Sequence, residues 1–176
     1  MTLAPRRGTG ETAAMPDTAD RTTPEPGRAL VDDTTLAPAR LVCAHLDGPL
    51  TAAGFAAGQV GAGATHADAL FCADYAEFRT RNPRVAPDLD YGDDPGSCTD
   101  VTITVALGDP PRLHEARQDG WAFDELLRDL GQDDLADRTA ALTGRPLDEA
   151  LPALVEAVRA LYRADTPADT PGGPTR

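Results

Sequence analysis

Residues 121–162 read WAFDELLRDLGQDDLADRTAALTGRPLDEALPALVEAVRALY, and this stretch decides the fold predicted for the whole chain. Leucine and valine recur in it at steps of three and four residues, the spacing that places side chains on one face of a helix. Gly131 and Gly144 follow the first two apolar runs, where helices commonly end on a glycine. The stretch therefore predicts three successive helices that supply much of the core.

Two strands are predicted outside this stretch. Val101–Leu107 alternates apolar residues with threonine and alanine, which is the pattern of a half-buried strand. Arg40–Leu46 is a short apolar run ended by Asp47-Gly48-Pro49, a turn cluster. We expect these two segments to pair antiparallel. Because two strands alone are marginally stable, helices must cover them or the strands must pair across a dimer.

Helices are predicted for the segments between these strands. Leu50–Ala64 is built from alanine and glycine, and it predicts a helix that neighbouring helices can approach closely. Thr65–Arg81 predicts a second helix, because three aromatic residues recur in it at helical spacing, namely Phe71, Tyr75 and Phe78. Arg112–Gln118 predicts a short helix that leads into Trp121. The fold class expected from the sequence is thus mainly α (α+β), a compact helical domain with a small two-stranded antiparallel β element.

The two ends of the chain differ in composition from its middle. Residues 1–37 and 164–176 are rich in threonine, proline, alanine, glycine and aspartate, and they contain few large apolar side chains. Such segments bury too little surface to offset the entropy that ordering costs. We therefore expect disordered N- and C-terminal tails around a single globular domain of residues 38–163.

The charge of the chain disfavours several classes of partner and of chemistry. The net charge is −13, from 29 acidic and 16 basic residues, and this repels phosphate backbones and anionic lipid. Every basic residue is an arginine, which removes P-loop and Schiff-base lysines. No apolar run approaches the length of a membrane span, and no secretion signal opens the chain. We expect a cytoplasmic protein from a GC-rich bacterium that binds neither membranes nor nucleic acid.

Four cysteine and histidine residues are the candidates for a metal site. Cys43 and His45 lie two residues apart on a predicted strand, so both would project from one face. Cys98 and His114 flank the strand Val101–Leu107. Thiolate and imidazole are zinc ligands, but the spacings typical of metal sites, C-x-x-C and H-x-x-x-H, do not occur. We therefore expect structural cysteines and no bound cofactor.

Two classes of function agree with these features. The first is a non-enzymatic accessory or protein-interaction protein, which recognises a protein partner or a second copy of the chain through an acidic surface. The alternative is a small enzyme or small-molecule-binding protein with a pocket near Phe71, Tyr75 and Phe78, bordered by the Cys43 and His45 face and by Trp121. A large apolar pocket with converging polar groups would favour the alternative, and an exposed apolar patch rimmed by acids would favour the first.

Overall fold

The computed structural model describes residues 32–85 and 96–163. Within them the chain forms five helices and one five-stranded antiparallel sheet, which is an α+β fold. In chain order these elements are α1 (Asp33–Ala53), β1 (Gln59–Ala62), β2 (His66–Asp74), α2 (Tyr75–Arg81), β3 (Cys98–Ala106), β4 (Arg112–Gln118), β5 (Trp121–Ala122), α3 (Phe123–Asp129), α4 (Asp133–Ala140) and α5 (Leu147–Leu161).

The fold class predicted from the sequence is wrong. The strands form a sheet in the order β1-β2-β3-β4-β5, and every neighbouring pair is antiparallel, where the sequence predicted a helical domain with only two strands. The domain boundary predicted at residue 38 falls inside α1. Apart from residues 32–37, both predicted tails lie outside the described residues.

The segment Arg40–Leu46 is the middle of α1 and does not pair with β3. The buried residues of α1 recur at steps of three, one, three, four and three, as on a helix: Ala39, Val42, Cys43, Leu46, Leu50 and Ala53. Asp32 caps the start of this helix, and Gly54, with φ 107°, ends it in the left-handed conformation. A short apolar run fits a strand or a buried helix equally well, so periodicity over seven residues could not separate the two.

The predicted helix Thr65–Arg81 consists of β2 followed by α2. Buried and half-buried residues alternate along β2, and the buried ones are Ala67, Ala69, Phe71 and Ala73. Three of these four inward residues are alanine, whose small side chain gives only a weak hydrophobic pattern. The helical spacing of Phe71, Tyr75 and Phe78 therefore determined the prediction of a helix. The Asp74 carboxylate accepts a hydrogen bond from the Glu77 amide at 3.0 Å and starts α2 at the end of the strand.

The predicted short helix Arg112–Gln118 is the strand β4. It lies beside β3, which confirms the strand predicted at Val101–Leu107. A two-residue turn, Asp119-Gly120, joins β4 to β5, and its φ angles of 48° and 85° are both positive, as a type I′ hairpin turn requires.

The three helices predicted for residues 121–162 are confirmed as α3, α4 and α5. Gly131 and Gly144 have φ angles of 70° and 79°, as glycines that follow helices commonly do. Helices α1 and α5 pack against each other; α1 also contacts β1 to β3, and α5 contacts β4. The apolar residues of α5 enter the same core cluster as the inward residues of the sheet: Leu147, Leu151, Leu154, Val158 and Leu161.

Gly58 fills a position that has no room for a side chain. A Cβ atom there would lie 2.6 Å from Cys43 Sγ and 2.6 Å from Phe71 Cε1. Gly58→Ala should therefore lower the free energy of unfolding by about 1–3 kcal/mol through overpacking, measured by urea denaturation. Gly61→Ala is the matched control, because a Cβ at Gly61 meets no atom within 4 Å. Its effect should stay within about 0.5 kcal/mol, and equal effects of the two changes would contradict this packing.

Candidate functional site

A surface groove of about 880 Å³ lies between three parts of the fold. One wall is the end of α2 with the residues after it, 80–85. The second wall is the α3–α4 turn with the start of α4, residues 130–135 and 138. The third is the outward face of α5. The groove thus depends on the packing of segments that are far apart in sequence.

Helix α5 contributes to both the core and the groove. Most of its lining residues recur at steps of three and one, which places them on one side of the helix: Pro152, Val155, Glu156, Arg159, Ala160 and, just beyond the helix, Arg163. Leu161, a core residue at the end of the helix, also borders the groove. The residues on its other side are the core leucines. From Pro152 to Arg163 this wall is roughly 16 Å long, at 1.5 Å per residue.

Arginine dominates the charge of the groove. Its lining includes five of the eleven arginines in the described residues, namely Arg81, Arg84, Arg138, Arg159 and Arg163. Three acidic residues also line it, namely Asp133, Asp134 and Glu156. Among the described lining residues, five guanidinium groups against three carboxylates give a net charge of +2, in a chain whose net charge is −13. The described lining residues therefore carry a charge opposite to that of the protein as a whole.

The arginines of the groove differ in their partners. Arg138 holds the Glu156 carboxylate through two parallel hydrogen bonds, Nη1 to Oε2 at 3.1 Å and Nη2 to Oε1 at 3.0 Å. Arg159 and Arg163, by contrast, are exposed and form no ion pair within the described part of the chain. An exposed guanidinium group can bind an anionic ligand through paired hydrogen bonds.

Apolar side chains form the base of the groove. Leu130, Val155 and Ala160 are half-buried, because they pack against the hydrophobic core and also line the groove. Pro83 and Pro152 add further apolar surface. The groove thus combines an apolar base with a charged rim.

A buried chain of hydrogen bonds anchors the end of α5. The Tyr162 hydroxyl donates to Gln118 Oε1 at 2.9 Å, and Gln118 Nε2 donates to Thr99 Oγ at 3.1 Å. The Thr99 hydroxyl in turn donates to the Asp119 carboxylate at 2.6 Å. In the part of the chain that the structure describes, no buried side-chain nitrogen or oxygen lacks a hydrogen-bond partner. The chain of bonds joins the end of α5 to β3, β4 and the hairpin turn.

The Tyr162 phenol lies in an aromatic environment. Its ring centroid is 5.5 Å from that of Phe55 and 5.8 Å from that of Phe78. Burial raises the pKa of Tyr162 well above the ordinary value of 10.0, and the nearby Asp119 carboxylate raises it further. At neutral pH the phenol is therefore a neutral donor that holds α5 in place, and it is a poor candidate for an acid or base.

The aromatic residues predicted to border a pocket lie elsewhere. Phe71 and Phe78 are fully buried, Tyr75 is buried at the start of α2, and none of the three lines the groove. Trp121 is 46% exposed on β5 and does not line it either.

Cys43 and His45, the first two predicted metal ligands, point away from each other. They lie two residues apart on α1, which rotates them by about 200° around the helix axis. Cys43 is buried, and burial together with the Asp47 charge raises the pKa of its thiol. His45 is exposed, and its Nδ1 atom lies 2.9 Å from the Leu41 carbonyl oxygen. The expectation that they share one face of a strand is wrong because the segment is helical.

Cys98 and His114, the other two predicted ligands, lie near opposite ends of β3. Cys98 begins this strand, whereas His114 lies on β4 beside the residue that pairs with Thr104. Six residues of strand separate these positions, which is roughly 20 Å. The His114 ring instead contacts His66, with ring centroids 4.7 Å apart. Among residues 32–85 and 96–163, no three cysteine, histidine or acidic residues converge as a metal site would require.

The sequence offered one signal for the groove. Arg159 lies on an amphipathic helix, on the side opposite its leucines, and Arg163 follows four residues later, just beyond the end of the helix. The other three arginines come from the end of α2, the residues after it and α4, and only the tertiary structure brings them together.

Comparisons with protein-family models, with curated proteins and with solved structures found no match. No helix in the two described stretches is long and apolar enough to cross a membrane.

Tyr162→Phe should destabilise the protein without changing its fold. The substitution leaves Gln118 Oε1 buried without its donor, so we expect a loss of about 1–3 kcal/mol in the free energy of unfolding at neutral pH. Urea denaturation measures this loss. No loss would show that the carbonyl finds another donor.

The pH dependence of stability should also change in Tyr162→Phe. Because the folded pKa of Tyr162 lies above the unfolded value of 10.0, the unfolded chain releases the phenolic proton first as the pH rises. The contribution of Tyr162 to stability is therefore full below pH 10.0 and is lost progressively as the pH rises towards the folded pKa. Between pH 10.0 and the folded pKa of Tyr162, the free energy of unfolding should fall more steeply in the wild type than in Tyr162→Phe. Equal slopes would contradict the buried phenol.

We expect protein purified without chelator to contain far less than a stoichiometric amount of zinc or iron, measured by elemental analysis. Cys43 and His45 lie on different sides of α1, so Cys43→Ser should lower stability through packing alone, equally with and without EDTA. Stoichiometric metal that disappears in Cys43→Ser would reverse this prediction.

Proposed function

We propose that this protein is a non-enzymatic accessory protein that binds an acidic segment of a partner protein in its arginine-lined groove. One observation carries the proposal: five of the eleven described arginines line a single groove in a chain of net charge −13. Guanidinium groups bind carboxylates and phosphates through paired hydrogen bonds. The charge of the groove is thus complementary to an anionic ligand that the rest of the surface would repel.

The apolar base favours a peptide over a small anion. A small anion would contact only the guanidinium rim, whereas Leu130, Val155 and Ala160 offer apolar surface beside it. Successive side chains of an extended peptide point to opposite sides. A segment in which acidic and apolar residues alternate can therefore contact the rim and the base together. The wall formed by α5 has room for about five residues at ~3.3 Å each.

The residues of the groove also support a binding role over catalysis. Its described lining contains no cysteine, histidine or serine, and of its three carboxylates Glu156 is paired with Arg138. Thr80, the one hydroxyl among the described lining residues, donates to the Ala76 carbonyl oxygen at 2.9 Å. We also propose that the protein is cytoplasmic and that it does not bind nucleic acid.

The second candidate function is binding of a small anionic molecule in the same groove. The volume of about 880 Å³ lies within the usual range of small-molecule sites, about 300–1,000 Å³. The test must therefore separate a peptide from a small anion.

The test uses a fluorescein-labelled peptide of alternating glutamate and leucine, and its glutamine–leucine counterpart as the neutral control. Fluorescence anisotropy measures binding to the full-length protein. We expect the wild type to bind the glutamate peptide more tightly than the glutamine peptide. Arg159→Glu combined with Arg163→Glu should weaken this binding about tenfold or more, because it removes two charged donors.

Arg40→Glu combined with Arg145→Glu is the matched control. It changes the net charge by the same amount at two exposed arginines outside the groove, so binding should change little. Equal losses in the two double variants would attribute binding to net charge and would contradict a site in the groove. Tighter binding of inorganic phosphate, or of single-stranded DNA, would replace the protein partner with one of those anions.

A further inference from the structure

We infer that Glu156 is an internal competitor for this groove, because its carboxylate occupies the guanidinium fork of Arg138 that an acidic ligand would otherwise use. The inference rests on the proposed function and adds a residue that sets the affinity of the site. Both residues line the groove, and they come from different walls, Arg138 from α4 and Glu156 from α5. The pair therefore links two walls of the groove.

The geometry of the pair is that of a bound carboxylate. Two parallel hydrogen bonds of 3.1 and 3.0 Å join the guanidinium of Arg138 to the two oxygens of Glu156. This is the fork-to-fork arrangement by which arginine recognises carboxylates in general. Glu156 thus makes the contact that we expect of a glutamate or aspartate in a partner segment.

The exposure of the pair makes an exchange of carboxylates inexpensive. The side chains of Arg138 and Glu156 are 58% and 52% exposed, and ion pairs in such positions contribute little to stability. When a ligand carboxylate takes the place of Glu156 in the fork, the same two hydrogen bonds are made again. Glu156 can then be hydrated in solvent. Displacement is therefore a matter of competition, with no buried contact to break.

Glu156 also lowers the affinity in a second way, which an experiment must separate from the first. It is a negative charge on a lining residue, so it repels any acidic ligand whether or not it occupies Arg138. Occupation of the fork depends on Arg138, whereas simple repulsion does not. A double-mutant cycle between the two residues distinguishes the two effects.

The experiment measures anisotropy of the labelled glutamate–leucine peptide with the wild type, Glu156→Gln, Arg138→Gln and the double variant. Glu156→Gln should tighten binding roughly twofold to fivefold, because it frees the fork of Arg138. Arg138→Gln alone should change binding little, because Glu156 already occupies this guanidinium. In the double variant the gain should disappear. Thermal melts of all four proteins check that each is folded.

Glu149→Gln is the matched control for the loss of charge. Glu149 also lies on α5, but its carboxylate is 3.8 Å from Arg145 and does not line the groove. An equal gain in Glu149→Gln, or a gain in Glu156→Gln that survives the loss of Arg138, would overturn the inference in favour of general repulsion.

The remaining outcomes separate the inference from the proposed function. If the wild type binds and Glu156→Gln binds no more tightly, the inference fails and the proposed function stands. If neither protein binds the peptide, both fail. Binding by Glu156→Gln that is absent in both the wild type and the double variant would support the inference, since the gain would then depend on Arg138.

Discussion

The hydrogen bond from the Tyr162 hydroxyl to the Gln118 side chain is the contact on which the geometry of the groove depends. It joins the last turn of α5 to the end of β4, and both side chains are buried, so no water competes for the bond. Arg159 and Arg163 lie three residues before and one residue after this anchor. These two exposed guanidinium groups therefore project from a backbone that the sheet holds in place.

The sequence predicted the C-terminal helices but not the sheet, and the reason lies in the inward-facing residues. In α5 these are leucines and valine, whose helical spacing is plain, whereas in β2 three of four are alanine. In β4 a bulge opposite Thr104 and Val105 brings Leu113 and Ala116, three residues apart, to the inner side. That spacing is typical of a helix. The Asp119-Gly120 pair is typical of a two-residue hairpin turn. Because β4 was predicted as a helix, however, the pair had no predicted strand before it and was not recognised as a hairpin.

The site was less predictable than the fold, because its chemistry is distributed over the chain. Cysteine and histidine attract attention individually, since each can bind a metal or react. A single surface arginine does neither, and it becomes informative only when others lie beside it. Strands β3, β4 and β5 lie between Arg81 and Arg138 in the sequence. Only the packing of α2, α4 and α5 brings these two arginines into one groove. Local patterns contain no information on such convergence.

The opposed charges of the groove and of the whole protein act over different distances. At physiological salt the field of surface charges decays over about 8 Å, so a ligand inside the groove is governed mainly by the residues that line it. A long polyanion would extend beyond the groove and meet an acidic surface, which opposes its binding. A short acidic segment can place its few carboxylates on the arginines alone. Because guanidinium stays charged across the physiological pH range, the selection that we propose depends on the length and charge of the ligand and very little on pH.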